Sequence, residues 1–245
     1  MSEFGGLGLF PWRSSSATRC GVLHTVNEDS LVEAVESGVF LIADGMGGHA
    51  DGAVASRAIA EVIRRVTAVD VALEEHVVTV EEALQSVNIA LRQEALARGR
   101  DVIGSTVAVL LLDATYAVCI WAGDSRVYLL RDGHLYRLTR DHAVGVEEGL
   151  DIPGAPLTRA VGSADELMLD RLVTSLQAGD TFLVCSDGIN KAVSDDQLEA
   201  VLADPVDGLA ARIVAQAVTS GSRDDASAIV VRYEGEGTGN EGGAP

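Results

Sequence analysis

Hydrophobic residues along this chain follow two rhythms, and the changes between them predict the elements. From about Val54 to Val66, Ala55, Ile59, Val62, Ile63 and Val66 recur at helical spacing while Arg57, Glu61 and Arg64 fill the other side, so an amphipathic helix is expected. A second helix is expected from Thr79, where Thr79 and Glu82 form a capping-box pattern; it would bury Leu84, Val87 and Leu91 and stop near Gly99. Strand-like runs cover residues 39–43, 106–112, 116–121, 126–131, 135–139, 167–173, 181–185 and 228–233. Between two of them, Asp132-Gly133 can supply the positive φ angles of a tight type I′ hairpin. Two later helices are expected, one capped by Ser194 with Gln197 and one from about Asp207 to Val218. Strand follows strand in the centre without an intervening helix, so the sheets should be largely antiparallel.

A chain of 245 residues with 47% hydrophobic content supports one large core, or at most two small ones, and neither a repeat nor a Pro- or Ser-rich linker divides it. Residues 1–15 and the Gly-rich 234–245 lack periodicity and read as loose tails around a single domain over 16–233. The formal charge of −19 argues against nucleic acid or an anionic membrane as the main partner, since both demand a basic surface, and favours something cationic. Cys20, Cys119 and Cys185 form no CxxC pair; the last two lie in apolar runs and read as buried reduced thiols. Neither a basic and apolar leader nor a membrane-length apolar run is visible, so a cytoplasmic protein is expected.

The chemistry lies in the carboxylates. Asp-Gly occurs five times, at 44–45, 51–52, 132–133, 187–188 and 207–208, and each alone reads as a turn. Two stand apart, because the runs 39–43 and 182–186 deliver Asp44 and Asp187 from buried strands and should then turn sharply. The run 116–121 ends just short of Asp124, and Asp224-Asp225 precedes the last apolar strand. An unpaired buried carboxylate costs several kcal/mol, so a group of them needs a shared counter-charge. With 18 Lys and Arg against 37 Asp and Glu, divalent cations are better placed than arginines to supply it. Oxygen ligation without a His/Cys cluster favours Mg2+ or Mn2+ over zinc. Two such ions about 3.5–4 Å apart can hold a hydroxide for in-line displacement at phosphorus. Ser105, Ser125 and Ser186 are then not needed as nucleophiles, and none lies in a GxSxG elbow.

The segments Asn27-Glu28-Asp29, Ala43-Asp44-Gly45-Met46-Gly47-Gly48-His49, Gly104-Ser105-Thr106, Gly123-Asp124-Ser125-Arg126, Thr139-Arg140-Asp141-His142, 157–162, Ser186-Asp187-Gly188 and 223–227 occur in that order. In them the chain resembles the metal-dependent protein Ser/Thr phosphatases, the protein phosphatase 2C or PPM family, in bacterial form. The resemblance spans about residues 17–233. It implies an α+β fold, a four-layer α-β-β-α sandwich of two antiparallel sheets flanked by helices. It implies two Mn2+ or Mg2+ ions and a metal-bridging hydroxide that attacks phosphoserine or phosphothreonine directly. Asp44 would bridge the ions, the Gly45 carbonyl would bind one, and Asp187 and Asp224 would complete the first ion's ligands. Glu28 would hold the second ion through water with Asp29 supporting behind it, and Asp124 with Asp187 matches a weaker third-ion site. The family usually has Asp-Asn where this chain has Asp224-Asp225, which makes Asp225 the second choice of ligand.

The chain also departs from that pattern. An arginine that clamps the substrate phosphate in the family is replaced by His24, which offers a single donor; Arg19 is an alternative clamp. The segment from Asp141 to Thr158, matching the family's flap, is short and suggests an open cleft. His49 and His142 are candidates to protonate the leaving alkoxide, with a structural role in a turn as the competing reading. The implied partners are phosphorylated proteins, substrates of a bacterial Ser/Thr kinase, and a monomer is expected. A pseudophosphatase that only binds a partner is the alternative, motivated by the missing arginine; a metal-dependent nuclease or small-molecule phosphatase ranks behind it.

Overall fold

The computed structural model of this chain describes residues 11–46, 50–67, 71–146, 149–150, 152 and 154–235. The expectations for residues 1–10 and 236–245, and that for His49, lie outside the described residues. In chain order the elements are β1 (Trp12–Arg19), β2 (Asp29–Ala34), a short 3-10 turn (Val35–Ser37), β3 (Val39–Met46), α1 (Ala50–Val66), α2 (Leu73–Arg98), β4 (Gly104–Ser105), β5 (Val107–Leu112), β6 (Tyr116–Ala122), β7 (Arg126–Arg131), β8 (His134–Arg137), β9 (Asp170–Ser175), β10 (Thr181–Cys185), α3 (Asp187–Asn190), α4 (Asp195–Leu202), α5 (Leu209–Thr219) and β11 (Ala226–Tyr233).

The strands form two sheets, ordered β1-β11-β10-β7-β8 and β2-β3-β5-β6-β9, with β4 paired to β3. All the paired strands run antiparallel. Three apolar layers hold the sandwich together, and strand alternation assigns residues to them. On β3, Val39, Leu41 and Ala43 face α1 and α2, whereas Phe40 and Ile42 face the other sheet. On β10, Leu183 and Cys185 face the α4–α5 side and Phe182 and Val184 face inward. The result is the expected α-β-β-α sandwich. Cys119 and Cys185 are buried free thiols, as expected, while Cys20 is exposed.

Several local expectations hold for the stated reason. Asp132 (φ 52°) and Gly133 (φ 77°) make the turn of the β7–β8 hairpin, with Arg131 opposite His134. Ser194 and Gln197 form a reciprocal capping box at the start of α4, and Gly99 closes α2 in the left-handed region at φ 63°.

Others are corrected. The second helix begins at Leu73, six residues before Thr79, because Leu73, Val77, Val80 and Leu84 make one continuous buried stripe. A capping pattern is local, and burial of that stripe outweighs it. The stretch 12–15, expected as part of a loose tail, belongs to β1, which pairs with β11 from Trp12 opposite Tyr233 to Arg19 opposite Ala226. Its Ser-rich sequence carries no strand signal, but Trp12 is buried between the sheets and Ser14 and Ser16 donate to Glu33 on β2. The 167–173 strand lies at Asp170–Ser175, since Leu167 is drawn into the helix-facing layer. β3 runs on through Asp44 and Gly45 to Met46 rather than turning after Asp44, and Asp51-Gly52 lies in the first turn of α1 rather than in a loop.

Candidate metal centre

The site lies at one end of the sandwich, where β3 and β10 finish and β2 and β11 begin. Inward alternation along β3 places Asp44 two residues beyond Ile42, on the inter-sheet side, with Asp29 of β2 directly opposite in register. Thr106 fixes the end of β3: its Oγ1 accepts from the Asp44 N–H at 3.2 Å and its own N–H donates to the Asp44 carbonyl at 2.8 Å. Asp187 opens α3 just past β10, and Asp224 precedes β11. An open cleft of about 410 Å³ gathers Asp44, Gly45, Glu28, Asp124, Asp187 and Asp224, together with His24, Thr106 and Lys191.

The electrostatics of this cluster are unbalanced. Burial, then the charges of Asp29, Asp187, Asp124 and Asp224, push the Asp44 carboxyl well above the usual carboxylate range. Burial raises Asp29 to about 7, reinforced by Asp225 and Asp187 and opposed by hydrogen bonds from Ser227 and Ser186. Asp124 and Asp224 are raised too, each by burial and then by Asp187. Carboxyls that raise one another in this way favour any cation that can be shared among them.

Two further observations show that the residues fit divalent ions. Oδ1 of Asp187 and Oδ1 of Asp29 are buried without a hydrogen-bond partner, although the other oxygen of each carboxylate is engaged. Backbone packing also keeps space at the Gly45 carbonyl. A Cβ on Gly52 would lie 2.6 Å from Glu28 Oε2 and 2.8 Å from the Gly45 oxygen, and one on Gly45 would lie 2.1 Å from the Gly52 oxygen. Only glycine at both positions lets β3, α1 and Glu28 meet so closely.

Asp225, the second-choice ligand, anchors a loop. Its carboxylate is 3% exposed and accepts from the N–H groups of Gly21 and Glu28, both at 2.7 Å, and pairs with His24 Nδ1 at 2.9 Å. It thereby shapes the loop that presents Glu28 and His24. His24, Asp224 and Asp225 lie close enough together to hold an ion, but both Asp225 oxygens are already committed to that loop. Burial would lower the His24 imidazole; Asp225, Asp224 and Glu28 outweigh it and raise it.

Arg19 ends β1 opposite Ala226, exposed and outside the cleft lining. His142 is also outside that lining. It stacks on Trp121 with ring centroids 6.0 Å apart, accepts from the Gly123 N–H through Nδ1, and reaches Asp170 through Nε2 at 3.2 Å. Those bonds brace the turn that carries Asp124 and support the structural reading of His142. Ser105, Ser125 and Ser186 hydrogen-bond to Asp44 O, Thr106 Oγ1 and Asp29 Oδ2 respectively, consistent with serines that organise the site.

Lys191 went unnoticed in the sequence. Its Nζ lies 3.3 Å from Asp124 Oδ2 and contacts Asp187 Oδ2. The available signal was its position four residues after Asp187 at a helix start, which puts the two side chains on one face.

Fold and site together define a two-sheet sandwich with a part-buried cluster of carboxylates in a cleft at one end. A family profile described as protein phosphatase 2C matches residues 22–220, and the chain belongs to that family. It is 29% identical over 222 residues to the serine/threonine protein phosphatase PstP of Mycobacterium tuberculosis, covering 86% of this chain and 43% of the relative. The chain thus spans less than half the length of that protein. It is 32% identical over 181 residues to the serine/threonine phosphatase stp of Listeria monocytogenes, covering 67% of this chain and 71% of the relative. Among solved structures, PppA of Pseudomonas aeruginosa, a key regulatory component of T6SS, superimposes with a TM-score of 0.86 at 40% identity, over 90% of this chain and 97% of that one. The PstP catalytic domain in complex with two manganese ions gives a TM-score of 0.81 at 28% identity, over 90% and 97%.

Proposed function

We propose that this chain is a divalent-metal-dependent protein phosphatase that hydrolyses phosphoserine and phosphothreonine. The observation that carries the reading is the convergence of Asp44, Asp187, Asp224, Glu28 and the Gly45 carbonyl on one open cleft, with the Asp187 Oδ1 left unpartnered. Asp44, the Gly45 carbonyl, Asp187, Asp224 and Glu28 are the groups that would hold two Mn2+ or Mg2+ ions. Bound there, the ions supply an activated water and neutralise charge for an in-line displacement at phosphorus. The protein's own residues do the positioning. Thr106 locks the backbone of Asp44, Asp225 locks that of Glu28, and Asp29, held by Ser186, buffers the charge behind Asp44. His24 lines the cleft with Nδ1 committed to Asp225, so Nε2 is a donor toward a substrate phosphate when the ring is protonated, the form that Asp225, Asp224 and Glu28 favour. An open cleft admits a phosphorylated side chain carried on a protein surface, so the substrates are phosphoproteins of a bacterial Ser/Thr kinase. A cytoplasmic monomer is part of this proposal. Among the described residues no helix is long and apolar enough to cross a membrane.

The test is Mn2+-dependent hydrolysis of p-nitrophenyl phosphate and of a phosphothreonine peptide, with Asp44→Ala and Asp187→Ala alongside. Both variants should lose turnover and metal binding together. A wild-type protein that binds Mn2+ yet turns over neither substrate refutes the enzyme reading and leaves the partner-binding alternative.

A further inference from the structure

Asp124 and Asp187, the two carboxylates assigned to a labile third ion, already share a cation that belongs to the chain. Lys191 Nζ lies 3.3 Å from Asp124 Oδ2 and is hydrogen-bonded to Asp187 Oδ2. Short-range structure delivers it there. Asp187 is the first residue of α3 and Lys191 is its C-cap, one turn later, with the Lys191 N–H bonded to the Asp187 carbonyl at 2.9 Å. Neighbouring Asn190 donates to the Asp124 carbonyl at 3.3 Å, tying the turn that carries Asp124 to the same helix. The backbone that carries Lys191 is therefore tied to the segments of both carboxylates, and its half-exposed side chain reaches across to them.

The pairing also divides the work of Asp187. Its Oδ2 is taken by Lys191, while Oδ1 is buried and unpartnered and remains available to the ions at Asp44 and Asp224. Asp124 makes no backbone hydrogen bond through its carboxylate among the described contacts, so Lys191 is its counter-charge. A divalent ion entering between Asp124 and Asp187 would have to expel the ammonium or sit against it, and like charges at that separation repel strongly in a partly buried site.

We infer that Lys191 is a built-in replacement for the third ion, so that this phosphatase binds two divalent ions and no third. The inference rests on the metal-pair reading above. Lys191 is a positioning residue in this account: it neutralises Asp124 and steadies Asp187 without needing free metal at high concentration.

Bound Mn2+ per chain, measured by equilibrium dialysis with elemental analysis across a titration into the millimolar range, tests this directly. Wild type should saturate at two ions. Lys191→Asp, which restores an oxygen ligand, and Lys191→Gln, which keeps length and removes charge, should each take up a third ion, tightest in Lys191→Asp, at least tenfold tighter than any third binding in wild type. Asp124→Asn in the wild-type background should leave the count at two. Lys191 has a 57% exposed side chain at the end of a short helix, so both Lys191 variants should fold, and circular dichroism confirms it. Three ions in wild type, with the third lost in Asp124→Asn, overturn the inference and leave the metal pair standing. Two ions in folded Lys191→Asp overturn it as well. Fewer than two in wild type overturn the metal-pair reading and the inference together.

Discussion

Removing the charge of Asp29 from the metal-free protein tests the electrostatic account of the site. Asp29 is 7% exposed and faces Asp44 across the β2–β3 pair. Burial, then Asp225 and Asp187, raise its carboxyl from 3.8 to about 7 against the pull of Ser227 and Ser186. A carboxyl raised in the fold binds a proton that the unfolded chain has released. Its stabilising contribution is fully present below the unfolded value, near pH 4, and is lost as pH rises to the folded value, near pH 7. A gap of about three units at ~1.4 kcal/mol per unit makes the loss roughly 4 kcal/mol for this one group. Asp44, shifted in the same direction, steepens it.

Urea denaturation in EDTA, repeated at intervals between about pH 4 and pH 8, reads this as a falling unfolding free energy. Asp29→Asn should match wild type at the acid end and exceed it increasingly toward the alkaline end, by up to roughly 4 kcal/mol. Saturating Mn2+ should flatten the wild-type profile, because the ion takes the place of the proton. A flat metal-free wild-type profile, or an Asp29→Asn profile parallel to it, would refute the claim that crowded carboxyls are what the metal relieves.

Three further outcomes are expected. Asp225→Ala leaves the buried N–H of Glu28 and the part-buried N–H of Gly21 without their acceptor; urea denaturation should show a loss of roughly 2–5 kcal/mol, and less for Asp225→Asn, which keeps one acceptor oxygen. Gly52→Ala drives a methyl group into the Glu28 carboxylate and the Gly45 carbonyl, so calorimetric Mn2+ affinity should fall at least tenfold, and unchanged affinity would remove the Gly45–Glu28 assignment. His24→Arg supplies a bidentate fork at the cleft; KM for a phosphothreonine peptide should fall severalfold, and unchanged kinetics would take His24 out of phosphate binding.

Much of this protein is legible in its sequence because the relevant physics is local. Alternating and helical hydrophobic patterns mark the central strands β3, β5, β6, β7 and β10 and the helix α1, since each buries a face that its own residues declare. The Asp132-Gly133 turn and the Ser194 cap are legible for the same reason: backbone geometry and the nearest N–H groups decide them. The costly placement of Asp44 and Asp187 after apolar runs is visible too, and it points to cations before any fold is known. Long-range pairing decided the rest. β1 is a strand only because β11 offers it a ladder and the inter-sheet core takes Trp12, and neither is encoded in a Ser-rich octapeptide. Asp225, just before β11, anchors the loop of residues 21–28 because the fold brings that loop against it, about two hundred residues away in sequence. Lys191 met Asp124 because a short helix and a distant turn pack at the same end of the sandwich. A charge's partner is set by distance in space, and in an antiparallel sandwich that distance depends on strand order and register, which no single segment of sequence contains.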